Sequence, residues 1–199
     1  GFVDTLQFIR YAPTLAQMGG RAIVRCPSTL VRLIASMPSV AMAIAEGEPL
    51  PDFDVHAQML SLPKLLHTTV ANIPAQVPYI QPDLCQCEAI AKNSLPIDTL
   101  NVGIVWASGY RDKSDALRFY HKKSCPLLEF LPLLDIPNVQ LYSLQVGGNA
   151  SDIDEFKACD RLHNWSPFIR DFTDTAALVA QLDLVIAVDT AIVHLAGAM

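Results

Sequence analysis

Leu6, Ile9, Leu15 and Met18 recur near helical spacing over residues 5–18, and Gly19-Gly20 follows as a stop, which predicts a helix beginning almost at residue 1. Ala22-Ile23-Val24 is a short apolar run, read as a strand. Pro27-Ser28 opens a second helix with Leu30, Leu33 and Ile34 inward, and Pro38 ends it. Residues 40–45 read as another strand, 54–59 as a third, and 62–67 as a short helical piece. The order helix, strand, helix, strand, strand predicts α/β layering in which parallel strands are covered on both faces.

Between residues 73 and 82 stand Pro74, Pro78 and Pro82, followed by a predicted helix over 83–93 and a polar stretch to Asn101. This reads as a domain junction and divides the chain into units 1–93 and 94–199. Val102-Gly103-Ile104-Val105-Trp106 then has the continuous apolar character of a strand buried on both faces. The pattern restarts with a helix over 127–134, a strand over 139–144 and a helix over 153–161. Thr173 or Asp174 is expected to cap a helix over 175–182, before a strand over 184–188 and a helix over 190–198. The second unit repeats the α/β architecture without repeating the sequence. A parallel α/β domain normally places a strand before its first helix, and the chain stops inside a predicted helix. Both units are therefore expected to be incomplete, the chain being a fragment.

Composition narrows the function classes. Of 199 residues 51% are hydrophobic and 17% charged, enough apolar surface for a substantial core. A formal charge of -6 offers no net positive field for nucleic acid or anionic lipid, so any phosphate site must be local. No apolar run approaches the length of about 18 residues that a membrane span needs, and no basic-then-apolar leader opens the chain. A cytoplasmic location without a membrane span is the expectation. Five cysteines in unlike contexts argue against a disulfide framework, and Cys85-Gln86-Cys87 lacks the spacing and partner pair of a structural zinc site. No metal and no cofactor are expected; the glycine fingerprints of dinucleotide and P-loop sites are missing.

Four places could carry chemistry. In Leu184-Val185-Ile186-Ala187-Val188-Asp189-Thr190 a hydrophobic strand passes straight into a helix, so free N–H groups and the Thr190 hydroxyl converge where an anion could bind. Asp189 is placed to cap that helix, and His194 lies about one turn along. The plainer account is a cap and a surface histidine. Arg111, Lys113, Arg118, Lys122 and Lys123, with His121 among them, follow the strand ending at Trp106 and suit a negatively charged ligand, or a solvated loop. Asp4 opens the first helix, as its cap or as a general base. Gln145, in Ser143-Leu144-Gln145-Val146-Gly147-Gly148, offers an amide at a strand end, or sits in a simple turn.

Taken together, GFVDTLQFIRYAPTLAQMGG, VGIVWASGYRDK, SLQVGG and DTAALVAQLDLVIAVDTAIVHLAGAM occur in the order seen in bacterial glycosyltransferases related to the heptosyltransferases (glycosyltransferase family 9). The chain most resembles the catalytic region found behind tetratricopeptide repeats. That resemblance implies a GT-B architecture of two Rossmann-like domains facing a cleft, with a nucleotide-sugar donor and a hydroxyl-bearing acceptor as partners. It implies metal-independent inverting transfer, Asp4 as the base, and Asp189, Thr190 and His194 around the donor diphosphate, with Arg111, Lys113 and Gln145 beside it.

Three departures accompany the resemblance. Val3 stands where the family usually has Gly before the acidic residue, and Val146 stands where Lys often follows the Gln. The family also continues past the donor motif with a strand and a Trp/Arg-rich segment. A non-catalytic interaction or scaffold module that kept the fold is therefore the alternative, and self-association through an open sheet edge is expected of a fragment.

Overall fold

The computed structural model describes residues 1–82, 95–109, 123–156 and 159–199. The predicted helix over 83–93 lies outside them. The first helix is present but divided: α1 (Phe2–Phe8) and α2 (Ala12–Gln17) are joined by a 3-10 turn at Ile9–Tyr11. Pro13 accounts for the break, because it brings no N–H to continue the α ladder. Leu6 and Ile9 are buried as expected, whereas Met18 is 70% exposed beyond the last turn. Gly19 takes φ +85 and donates to the Ala16 carbonyl, which is the left-handed stop a glycine permits.

Strand β1 (Ala22–Cys26), helix α3 (Ser28–Ala35) and strand β2 (Val40–Ala45) form a parallel βαβ unit, and among the described residues the two strands pair only with each other. Leu30, Leu33 and Ile34 are fully buried on the inner stripe of α3. No strand forms over 54–59. The alternation there finds no partner strand and no core: Val55 is 86% exposed, and the chain goes on to a 3-10 turn at Met59–Ser61 and the short α4 (Leu62–Leu65).

The second sheet is four-stranded and parallel, in the order β5-β4-β3-β6, from β3 (Leu100–Val105), β4 (Val139–Ser143), β5 (Leu162–Asn164) and β6 (Leu184–Ala187). Val102, Ile104, Val139, Leu141 and Leu162 face one core with Leu127, Phe130, Leu134 and Ile153. Val105 and Leu144 face the other, against Leu178 and Val179 of α5 (Phe172–Val179) and Ile192 of α6 (Ala191–Ala196). Two expected helices are instead 3-10 segments, Leu127–Glu129 with Leu131–Asp135, and Gly148–Phe156. Pro132 denies the first pair an α hydrogen bond within the predicted helix, although the apolar spacing still turns Leu127, Phe130 and Leu134 inward. The three-residue β5 was not anticipated, since so short a strand carries no periodicity of its own.

Helix α5 starts earlier than expected and is capped by Asp171, whose carboxylate accepts the N–H groups of Thr173 and Asp174 at 2.8 and 3.2 Å. Asp174 is drawn elsewhere. Its carboxylate receives Arg170 through Nε and Nη2, both at 2.8 Å, and Arg32 of α3 through Nη2 at 2.6 Å. The ion pairs thus tie α3 to α5. A shared core does the same for the apolar groups: Leu6, Ile9, Leu30, Leu33 and Ile34 pack with Ala176, Leu195 and Ala198. Ile80 joins that core, and both Tyr79 N–H and Ile80 N–H donate to the Ala198 carbonyl, at 3.0 and 3.1 Å.

Gly103 shows how closely β3 is covered. A Cβ there would stand 2.5 Å from Leu182 Cδ1 and 3.0 Å from Leu144 Cδ1. Both obstacles are side-chain ends that can swing, so Gly103→Ala is expected to cost about 1 kcal/mol rather than to abolish folding. A urea titration showing no loss would mean that the Leu182 side chain relaxes without penalty.

Candidate functional site

Strand order places the site. β3 and β6 are neighbours, yet the connection leaving β3 leads toward β4 on one side and β6 arrives on the other. The crevice at the carboxyl ends of such a pair is where parallel α/β sheets bind ligands. On one lip the chain leaves β3 through Trp106–Gly109 and returns at Lys123–Cys125. Val188, Asp189 and Thr190 form the other lip, tied down by the Val188 N–H donating to the Val105 carbonyl at 3.0 Å.

Across this crevice Lys123 Nζ meets Asp189 Oδ2 at 2.5 Å. Asp189 is 62% exposed and Lys123 47%, so solvent reaches the pair. The hydrogen bond and charge of Lys123, with a smaller contribution from His194, hold the Asp189 carboxyl below the usual range against the slight opposing effect of burial. Asp189 is not the helix cap. Thr190 occupies that position, with extended backbone and no side-chain bond to the helix N–H groups. Its Oγ1 is buried and has no hydrogen-bond partner among the described residues. An unmet buried hydroxyl beside uncapped helix N–H groups fits an oxygen-rich ligand.

Arg111 and Lys113, with Arg118, His121 and Lys122, lie outside the described residues. Lys123 is the described member of the basic cluster, and the sequence held the signal for it in that clustering alone. Gln145 is buried, and its amide is spent within the protein: Oε1 accepts the Ala107 N–H at 2.9 Å and Nε2 donates to the Val146 carbonyl at 3.1 Å. It braces the exit of β3 and does not reach into open space. Trp106, also buried, donates its indole N–H to Asp152 at 2.9 Å, a brace with no sequence signal beyond the residue types.

Asp4 lies within the first turn of α1 and not in a loop before it, with Gly1 as the cap residue. Its side chain is 46% exposed, and Oδ2 stands 3.3 Å from the Gly1 nitrogen. Helix α1 packs against α6 through Leu6 and Leu195, and Phe2 lies 5.3 Å from Phe172 between ring centroids. The helices bearing Asp4 and His194 are therefore in contact. Among the described residues no group of three or more His, Cys, Asp or Glu side chains is arranged to hold a metal ion, and no helix is long and apolar enough to cross a membrane.

No protein-family model matches the chain. Protein FlbA of Caulobacter vibrioides is 28% identical over 193 residues, a match that takes in 93% of this chain and 31% of that protein. The chain thus spans about a third of the length of this relative. Among solved structures, E. coli ADP-heptose LPS heptosyltransferase II matches 99% of this chain and 79% of its own, with a TM-score of 0.69 and 14% sequence identity. At that identity the likeness is one of fold: the chain is an α/β protein with parallel sheets arranged as in a heptosyltransferase of GT-B type.

Proposed function

We propose that the chain is the catalytic region of a glycosyltransferase that moves a sugar from a nucleotide donor to an acceptor hydroxyl by metal-independent inverting displacement. The observation that supports this reading is the turn from β6 to α6, where the Thr190 hydroxyl is buried with no partner among the described residues and makes no cap bond, one residue beyond the Asp189 that Lys123 meets. In this reading the donor diphosphate takes the Thr190 hydroxyl and the helix N–H groups, with Lys123 countering its charge. Arg111 and Lys113 add cations from the same basic segment, and His194 stands one turn further on. Asp4 takes the acceptor proton. The acceptor unit is 1–93 and the donor unit 94–199, with Ala176 of α5, Leu195 of α6 and the following Ala198 packing into the core of the first. A cytoplasmic location belongs to the same reading.

Calorimetric titration of the full chain with UDP-, GDP- and ADP-sugars tests it. Saturable binding of one of them is expected, weakened about ten- to a hundredfold by Thr190→Val, since a hydrogen bond to a charged group is lost. Absence of binding by any of the three would remove the reading. Val146, 48% exposed where the resemblance leads one to look for Lys, favours a second reading in which the fold serves as a non-catalytic interaction module. Donor binding without transfer to any acceptor would support that one. Self-association through the edges of β1 and β2 that no described strand covers accompanies either reading, and light scattering from a clean monomer would exclude it.

A further inference from the structure

Ser124 was singled out by neither the residue pattern nor the resemblance. Its Oγ accepts the Ser108 N–H at 3.1 Å, and the next N–H, that of Cys125, donates to the Trp106 carbonyl at 2.8 Å. These two bonds draw together the segment leaving β3 and the segment returning from it. The leaving side is braced twice more, by Gln145 on the Ala107 N–H and by Asp152 on the Trp106 indole. Lys123 immediately precedes Ser124, and Asp189 is anchored on the opposite lip through Val188 and Val105. A lysine has a flexible four-carbon stem, so where its ammonium rests is set largely by where its backbone is held.

We propose that Ser124 is a positioning residue: by fixing the Ser108 amide it holds the Lys123 backbone at the crevice, so that the ammonium meets Asp189 and is presented to a nucleoside diphosphate. The first part stands on these contacts alone. The second rests on the proposed function. Ser124 acts through Lys123 and has no direct part in the reaction.

Carbon-13 NMR of the Asp189 carboxyl in the full chain, with amide exchange at Ser108, tests the first part. In Ser124→Ala the Asp189 titration moves up toward the ordinary aspartate range and the Ser108 amide exchanges about tenfold faster, one hydrogen bond having been lost. Ser124→Thr keeps the acceptor oxygen and both wild-type readings. Ser108→Pro removes the donor in place of the acceptor and shifts Asp189 as Ser124→Ala does, which keeps the test decisive should either variant fold poorly. An unchanged Asp189 titration in a folded variant lacking either half of the bond overturns the proposal.

UDP affinity tests the second part, with an expected loss of about five- to tenfold in Ser124→Ala and recovery in Ser124→Thr. If Asp189 shifts while UDP affinity holds, Lys123 is positioned by Ser124 but is no phosphate contact. That result overturns the presentation of Lys123 to the nucleotide and leaves the positioning role standing. If the wild-type chain binds no UDP, GDP or ADP compound, the proposed function falls with the second part, and the NMR result still decides the first.

Discussion

Asp4→Asn is expected to slow sugar transfer by about 10²- to 10⁴-fold, the usual weight of a general base, while leaving donor affinity unchanged. Asparagine has nearly the same shape and cannot accept the acceptor proton. In the proposed function the base is a carboxylate that is half exposed on the first turn of α1, with no arginine or lysine bonded to it among the described residues. The helix it rides is held by Leu6 and Ile9 in the core shared with α6, so the substitution does not disturb the packing that positions it. Single-turnover transfer with labelled donor, alongside calorimetry for donor binding, separates the two effects. Transfer at the wild-type rate in Asp4→Asn would show that another group takes the proton.

The second large effect is on stability. Asp174→Ala is expected to cost about 3 kcal/mol, because it deletes several charge-assisted hydrogen bonds made by a carboxylate that is 2% exposed. Arg170 is largely solvated and Arg32 keeps its pair with Asp171, so Ala should cost less than the reverse change. Arg32→Met with Arg170→Met would strand the buried carboxylate without its cations and should destabilise more than Asp174→Ala does. Equal or smaller losses in that double variant would show that the carboxylate rehydrates without strain.

The same pair makes stability depend on pH. Burial by itself raises the Asp174 pKa, but the hydrogen bonds from the Arg170 side chain and N–H and from Arg32 more than reverse this, holding it well below the usual carboxylate range. A carboxyl group whose pKa is lower folded than unfolded stabilises the protein above its unfolded value, about 3.9 for aspartate, and loses that contribution as pH falls toward the folded value. The urea midpoint of the wild type should therefore exceed that of Asp174→Asn most clearly at neutral pH. The gap should narrow as pH is lowered from about 5 toward 3. A gap that is flat over this range would locate the stabilisation in packing instead of charge.

Local pattern carried much of the architecture. The stripe Leu30, Leu33, Ile34 sufficed for α3, and the apolar runs sufficed for β1, β2, β3, β4 and β6, because burial imprints its period directly on neighbouring residues; only β3 and β4 are covered on both faces as expected, whereas Ile23, Met42 and Leu184 leave β1, β2 and β6 partly exposed. The turn from β6 into α6 was legible for the same reason. Residues 54–59 misled, since alternation alone cannot tell a paired strand from an unpaired segment.

Partners distant in sequence were decided only by the fold. Which strand lies beside β3 depends on the crossover path, so the crevice between β3 and β6 follows from the order β5-β4-β3-β6 and from no local signal. Asp171 rather than Thr173 or Asp174 caps α5, and Arg32, far away in the chain, pairs with both Asp171 and Asp174. Gln145 turns inward because an Ala107 N–H is waiting there, and Asp189 is met by Lys123 because β3 and β6 end side by side. Residue type and spacing set what each segment can form, since those preferences act within a few residues. Which charge meets which is settled when the sheets and helices pack, since electrostatic and hydrogen-bond partners are chosen by distance in space.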